Sequence, residues 1–147
     1  MKFSSLELLE LGKAWVALSF AFAILYARHQ LFTSVFWHLF FISAVVVGAG
    51  FLLHELAHKF LAQRYGCWAE FRADNKMLVF MLGISFFGFI FAAPGAVHIR
   101  GGALTWQNNG KISLAGPGMN ILLALLCVFF LLLGIDTLLL RYGLLIN

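Results

Sequence analysis

Charge is what this sequence has least of. Only 11% of its 147 residues are charged, against roughly 25% in a soluble domain. A chain this short leaves much of its surface exposed. A 63% hydrophobic composition with 17 phenylalanines therefore implies a lipid bilayer as solvent. Long basic runs are absent too. No Lys/Arg cluster can track a phosphate backbone, so nucleic acid is excluded as a partner and the net charge of +4 bears on membrane orientation instead. Cysteine is scarce. Cys127 lies midway through an apolar run, so it and Cys67 read as free thiols and not as a disulfide framework. The length bounds a single domain, 1–147.

What the chain has is long apolar runs. Ser4-Ser5-Leu6-Glu7 offers a capping box ahead of a helix. Residues 11–27 carry only Lys13, at an edge from which it can snorkel, and form a first span. A secretory signal peptide is disfavoured: Glu7 and Glu10 spoil a basic n-region, and no small-residue cleavage site follows Ala27. The strongest span begins at residue 35. His38 is the one titratable group up to residue 53, and HELAH carries the helix to about residue 61 and a stop near Gly66. Residues 112–133 make a third span. Its opening Ala115-Gly116-Pro117-Gly118 is rich in small residues that let helices approach closely. Residues 137–147, apolar apart from Arg141, look like the start of a further span.

Residues 77–97 are ambiguous. They are apolar enough for a marginal helix but broken by Gly83, Ser85, Gly88, Pro94 and Gly95. They either cross or dip in and return. If they return, Lys2, Lys13, Lys59, Arg64, Arg72, Lys76, Arg100 and Lys111 share one side and only Arg28 and Arg141 face the other. If they cross, the split weakens to 7 against 3. The positive-inside rule prefers the return, with the N-terminus and the end of the HELAH helix cytoplasmic. The expected fold is thus an all-α polytopic membrane protein with three transmembrane helices and a re-entrant segment.

FLLHELAHKF, residues 51–60, sets ionisable groups among leucines, where they are costly and point to function. His54 and His58 at i and i+4 project from one helix face, suited to two ligands of one Zn²⁺. Glu55 is turned about 100° from the first ligand. It can take a proton from a metal-activated water as general base and return it to a leaving amine. The competing reading is a helix end at the membrane surface, simply solvated, with Lys59 and Arg64 following. The other histidines suit the site less well. His29 falls in a short loop. His38 lies 16 residues before His54, about 24 Å along a helix, and suits an interface. His98, after Pro94-Gly95, can approach the site from the cytoplasmic side.

HELAH at the end of a membrane helix, a broken apolar segment ending APGAV, and ISLAGPGMN opening another helix together resemble the site-2 proteases, intramembrane zinc metalloproteases. The match covers roughly residues 35–130. It rests on HExxH inside a span followed by a GPxxN-type motif, here Gly116, Pro117 and Asn120. The resemblance implies Zn²⁺ on His54 and His58, Glu55 as catalytic base, and a membrane-embedded metalloprotease domain that cuts a transmembrane segment of a single-pass membrane protein substrate. It implies that the 77–97 region is a membrane-associated β-hairpin beside which an unwound substrate lies as an added strand. It implies that GPxxN packs its helix against HELAH, with Asn120 a substrate-side or structural polar contact. A homo-oligomer remains open.

The chain departs from that family in one respect. The family's third ligand is an aspartate in an LDG-type motif, which this sequence lacks. Asp74 is in a cytoplasmic loop, and Asp136 lies 16 residues past Asn120, about 24 Å along the helix. A catalytic zinc usually has three protein ligands. The expectation is either truncation before a last core helix or a catalytically incomplete scaffold that binds partners. A metal transporter is disfavoured because no second cluster of intramembrane ligands forms a pathway. The topology is testable by single-cysteine labelling in a chain freed of Cys67 and Cys127. Cysteines at positions 76 and 111 should react with an impermeant maleimide from the same side, and one at position 28 from the other. Labelling of 76 and 111 from opposite sides would mean that 77–97 crosses.

Overall fold

The structure, a computed structural model, describes residues 2–28, 30–91, 94–102 and 104–146; the expectation for His29 lies outside them. Lipid offers no hydrogen-bond partners, so apolar runs must bond within themselves as helices. The elements in chain order are α1 (Ser5–Ala27), α2 (Ser34–Arg64), β1 (Trp68–Ala73), α3 (Asn75–Ser85), β2 (Gly95–Arg100), α4 (Trp106–Leu132) and α5 (Leu138–Ile146). Helices α1, α2 and α4 are long and apolar enough to cross a membrane. Each begins on a hydroxyl cap: Ser4, Thr33 and Thr105 accept the backbone N–H of Glu7, Phe36 and Asn108. The chain is a helical membrane-type protein carrying one small two-stranded sheet.

Two expectations at the N-terminal side change. The capping box is only half formed. Ser4 Oγ takes the Glu7 N–H at 3.1 Å, but the Glu7 carboxylate does not turn back to Ser4. It is fully buried and ion-paired with Lys59, itself 1% exposed. Lys59 is therefore not a solvated residue at the membrane surface. The reason is local. The β1 backbone passes beside α1 with N–H groups that need acceptors, and Glu7 Oε1 accepts from Phe71 N at 3.0 Å. One turn on, Glu10 Oε2 accepts from Ala73 N at 3.2 Å. Two carboxylates of α1 thus stand where a third strand would pair.

The hairpin is also larger than expected. Strands β1 and β2 pair antiparallel from Trp68↔Arg100 to Ala73↔Gly95, so they flank α3, and only Gly95, Ala96 and Val97 of them lie inside 77–97. Asp74 N donates to Pro94 O at 3.0 Å and closes the neck, and Asp74 Oδ1 caps α3. The excursion reaches far: Ser85–Gly88 share a cavity with Ile24, Leu25 and Arg28 at the other end of α1. The chain leaves the sheet and comes back to it. Phe86, Phe87, Phe89 and Phe91 stand exposed at its tip, an apolar surface suited to lipid and not to water.

Helices α1 and α2 meet through one close contact. Trp15 Nε1 donates to the Ala44 carbonyl at 2.8 Å, and Gly48 makes room for the indole, because a Cβ there would lie 2.2 Å from Trp15 Nε1. Beside it the core joins Leu11, Ala14, Leu18 and Ala21 of α1 to Val47 of α2, Phe71 of β1, and Leu78 and Met81 of α3. A Gly48→Ala change should therefore lower stability by about 1–3 kcal/mol through overpacking. Gly12→Ala, where a Cβ meets nothing within 4 Å, should be neutral or raise it by up to about 1 kcal/mol through helix propensity. Thermal unfolding in detergent measures both, and equal behaviour of the two would remove the Trp15 contact from the account.

Candidate metal centre

Helix α2 carries His54, Glu55 and His58 towards its C-terminal end. The i, i+4 spacing turns both imidazoles to one face, and their Nε2 atoms stand 3.1 Å apart. The rings meet edge to face at 4.7 Å between centroids. His58 Nδ1 lies 2.6 Å from the carbonyl oxygen of Ile112 on α4. A carbonyl only accepts, so Nδ1 carries a proton, and in the neutral ring this leaves Nε2 as the lone-pair nitrogen facing His54. A backbone carbonyl fixing a histidine tautomer is the support a metal-ligating imidazole usually has. The donor set therefore fits a divalent cation as two of its ligands.

Helix α4 is shaped to reach these rings. Ile112, Gly116 and Asn120 follow at intervals of four and so lie along one stripe. Ile112 supplies the carbonyl. Gly116 supplies a gap: a Cβ there would lie 2.3 Å from His58 Nε2 and 2.5 Å from His54 Nε2. Asn120 brings a carboxamide into an apolar cavity of about 180 Å³ shared with His54, Glu55 and Pro94. Its Oδ1 is buried, and the carboxamide interacts with the His54 ring. Pro117 has no N–H, so the Ser113 carbonyl lacks its usual donor one turn on.

A second cavity of about 410 Å³ opens on the same residues. His54, Glu55 and His58 line it with Gly95, Ala96, Val97 and Ile99 of β2 and Asn109, Ile112 and Ser113 of α4. Glu55 is 9% exposed and borders both cavities. Among the described residues the sheet has two strands, so β2 has a strand on one side alone. Since Phe71 points its N–H away from β2 to Glu7, its partner Val97 belongs to a pair whose backbone groups face outward. Among the described residues no strand pairs with the outer edge of β2, which borders the cavity of the dihistidine.

The structure thus brings His54, Glu55, His58 and Asn120 together. It does not bring His98. Strand alternation turns Val97 and Ile99 inward and leaves His98 exposed on the opposite face, in a cavity with Arg72, Asp74 and Lys76. His38 is exposed near the start of α2. Both aspartates are engaged elsewhere. Asp74 caps α3, and Asp136 pairs with Arg141, whose guanidinium holds that carboxyl below the usual carboxylate range. Among the described residues no three His, Cys, Asp or Glu side chains are grouped to hold a metal. Sequence reasoning missed the Ile112 carbonyl, which carries no side-chain signal. It also missed Glu7, whose signal was an acidic residue in a chain with only six.

A helical membrane-type fold with a paired-histidine centre is the class these features define. Among known proteins the chain is similar to one named "Putative zinc metalloprotease" from Methanocaldococcus jannaschii, 42% identical over 133 residues. That match covers 89% of this chain and 64% of the relative, so the chain spans less than two thirds of the relative's length. It is also 33% identical over 75 residues to synaptic vesicle glycoprotein 2B of rat and of mouse, a match covering 51% of this chain and 10% of those proteins. No family model and no solved structure matches the chain.

The geometry of Gly116 gives a sharp expectation. Gly116→Ala should weaken Co²⁺ or Zn²⁺ binding about ten-fold or more, the usual scale for disturbing the support of a metal ligand. Gly118→Ala, where a Cβ meets nothing within 4 Å, should leave it unchanged. Metal titration of the two variants checks this, and unaltered binding by Gly116→Ala would mean that α4 does not bear on the imidazoles.

Proposed function

We propose that this chain is a site-2-type intramembrane zinc metalloprotease that cuts a transmembrane segment of a substrate protein. The observation that carries it is the convergence of two imidazole Nε2 atoms, one with its tautomer set by Ile112 O, beside a buried carboxylate. The similarity to a protein named as a zinc metalloprotease supports the same reading.

His54 and His58 would hold the zinc, which when bound supplies Lewis acidity to a water and a peptide carbonyl. The chain's own residues do the rest. Glu55 takes the proton of the attacking water and passes it to the leaving amine. The open edge of β2 binds the substrate backbone as an added strand, holding a peptide bond extended over the cavity. A helix must unwind to be cut, and such an edge supplies acceptors and donors for its released backbone groups. The Asn120 carboxamide, beside His54 and Glu55 in the smaller cavity, offers a polar contact to that substrate. The N-terminus and the end of α2 face the cytoplasm in this reading.

A second reading is favoured by the ligand count. Two imidazoles with no third ligand grouped among the described residues suit a catalytically incomplete scaffold of the same fold that binds membrane partners. Metal stoichiometry and cleavage separate the two. Reconstituted with Zn²⁺ and a single-pass substrate, the chain should bind one metal and cleave. Glu55→Gln should keep the metal and lose about 100-fold or more in rate, the scale of a general base. Cleavage undiminished in Glu55→Gln would refute the protease mechanism, and a chain that neither holds zinc nor cleaves would leave the scaffold reading.

A further inference from the structure

Helix α1 lends the apolar Leu18 and Phe22 to the cavity of His54 and Glu55, and one of its carboxylates is bonded to both walls of the site. Glu7 is 0% exposed. Its Oε2 is paired with Lys59 Nζ, and Lys59 directly follows His58 on α2. Its Oε1 accepts the Phe71 N–H at 3.0 Å. Phe71 stands opposite Val97 in the sheet, and Val97 lines the cavity with His54, Glu55 and His58. The face of Phe3 covers the ammonium, 4.4 Å from its ring centroid.

We infer that Glu7 is a positioning residue, which sets the spacing between the helix that carries the imidazoles and the strand edge that faces them. Stability alone is a poor reason for such a pair. Sealing two charges from water costs about as much as their attraction returns, and well-packed apolar side chains often replace them without loss. A carboxylate can take a lysine from one element on one oxygen and a backbone N–H from another on the second. The consequence for a substrate strand rests on the protease reading above; the consequence for β2 does not.

Two double variants of the full chain in nanodiscs test it. Glu7→Gln with Lys59→Gln keeps both tethers in neutral form: one amide oxygen still accepts from Phe71, and one amide N–H donates to the new glutamine at 59. Glu7→Leu with Lys59→Met keeps the packing but leaves the Phe71 N–H without an acceptor. Both should fold. The Leu/Met variant should show amide exchange across residues 95–100 faster by about ten-fold and a KM for substrate raised about ten-fold, with kcat within about three-fold, while the Gln/Gln variant matches the wild type. A folded Leu/Met variant with wild-type exchange and KM would overturn the proposal. If that variant does not fold, the Gln/Gln variant decides: wild-type exchange sustains the proposal and lost protection overturns it. Exchange is read without cleavage. A chain that never cuts would therefore sink the protease reading and leave the role of Glu7 to be judged on β2 alone.

Discussion

Away from water, every backbone donor that leaves a helix must find an acceptor within the protein, and this constraint organises the molecule. The three long helices satisfy it by themselves. The stretch from β1 to β2 does not, and the scarce polar side chains gather around it. The inner ladder pairs β1 with β2, Asp74 and Pro94 close the neck, and Glu7 and Glu10 cover the outer edge of β1. Among the described residues, what is left over is the outer edge of β2. A sheet with one covered edge and one open edge has a direction, and the open edge faces the two imidazoles.

The paired histidines depend on α4 in a different way. A single hydrogen bond to the Ile112 carbonyl is worth about 0.5–1.5 kcal/mol net, too little to hold two helices together. Its value is orientation, because it fixes which nitrogen of His58 is free. Gly116 then lets the helix backbone lie where a side chain would strike both rings. The stripe of Ile112, Gly116 and Asn120 has a chemical order: an acceptor, a gap, an amide.

The sequence made the helices legible, because long apolar runs have few alternatives in lipid. Their boundaries moved by a few residues: α1 begins at Ser5 and α4 at Trp106, earlier than the apolar runs, since polar first turns are still helical once capped. HELAH was legible because i, i+4 spacing is a local property. The close approach of the glycine-rich helix was legible in outline. The Glu7–Lys59 pair was not, since its partners are 52 residues apart and a buried ion pair looks in sequence like two surface charges. The strands were misjudged in extent because their pairing is closed by a neck, Asp74 to Pro94, that no periodicity announces. His98 next to Pro94-Gly95 pointed towards the site in sequence. The alternation of a strand, invisible until its register is known, turned it away.

The register of β2 also carries a rhythm. Val97 and Ile99 line the cavity of the dihistidine while His98 faces away, so a strand laid along this edge offers only every second residue to Glu55. Sliding such a strand by one residue reverses its faces; sliding it by two, about 6.6 Å, restores them. Under the proposed protease function, a membrane segment drawn past this site would be trimmed in steps of two, and its fragments would form ladders of a single parity.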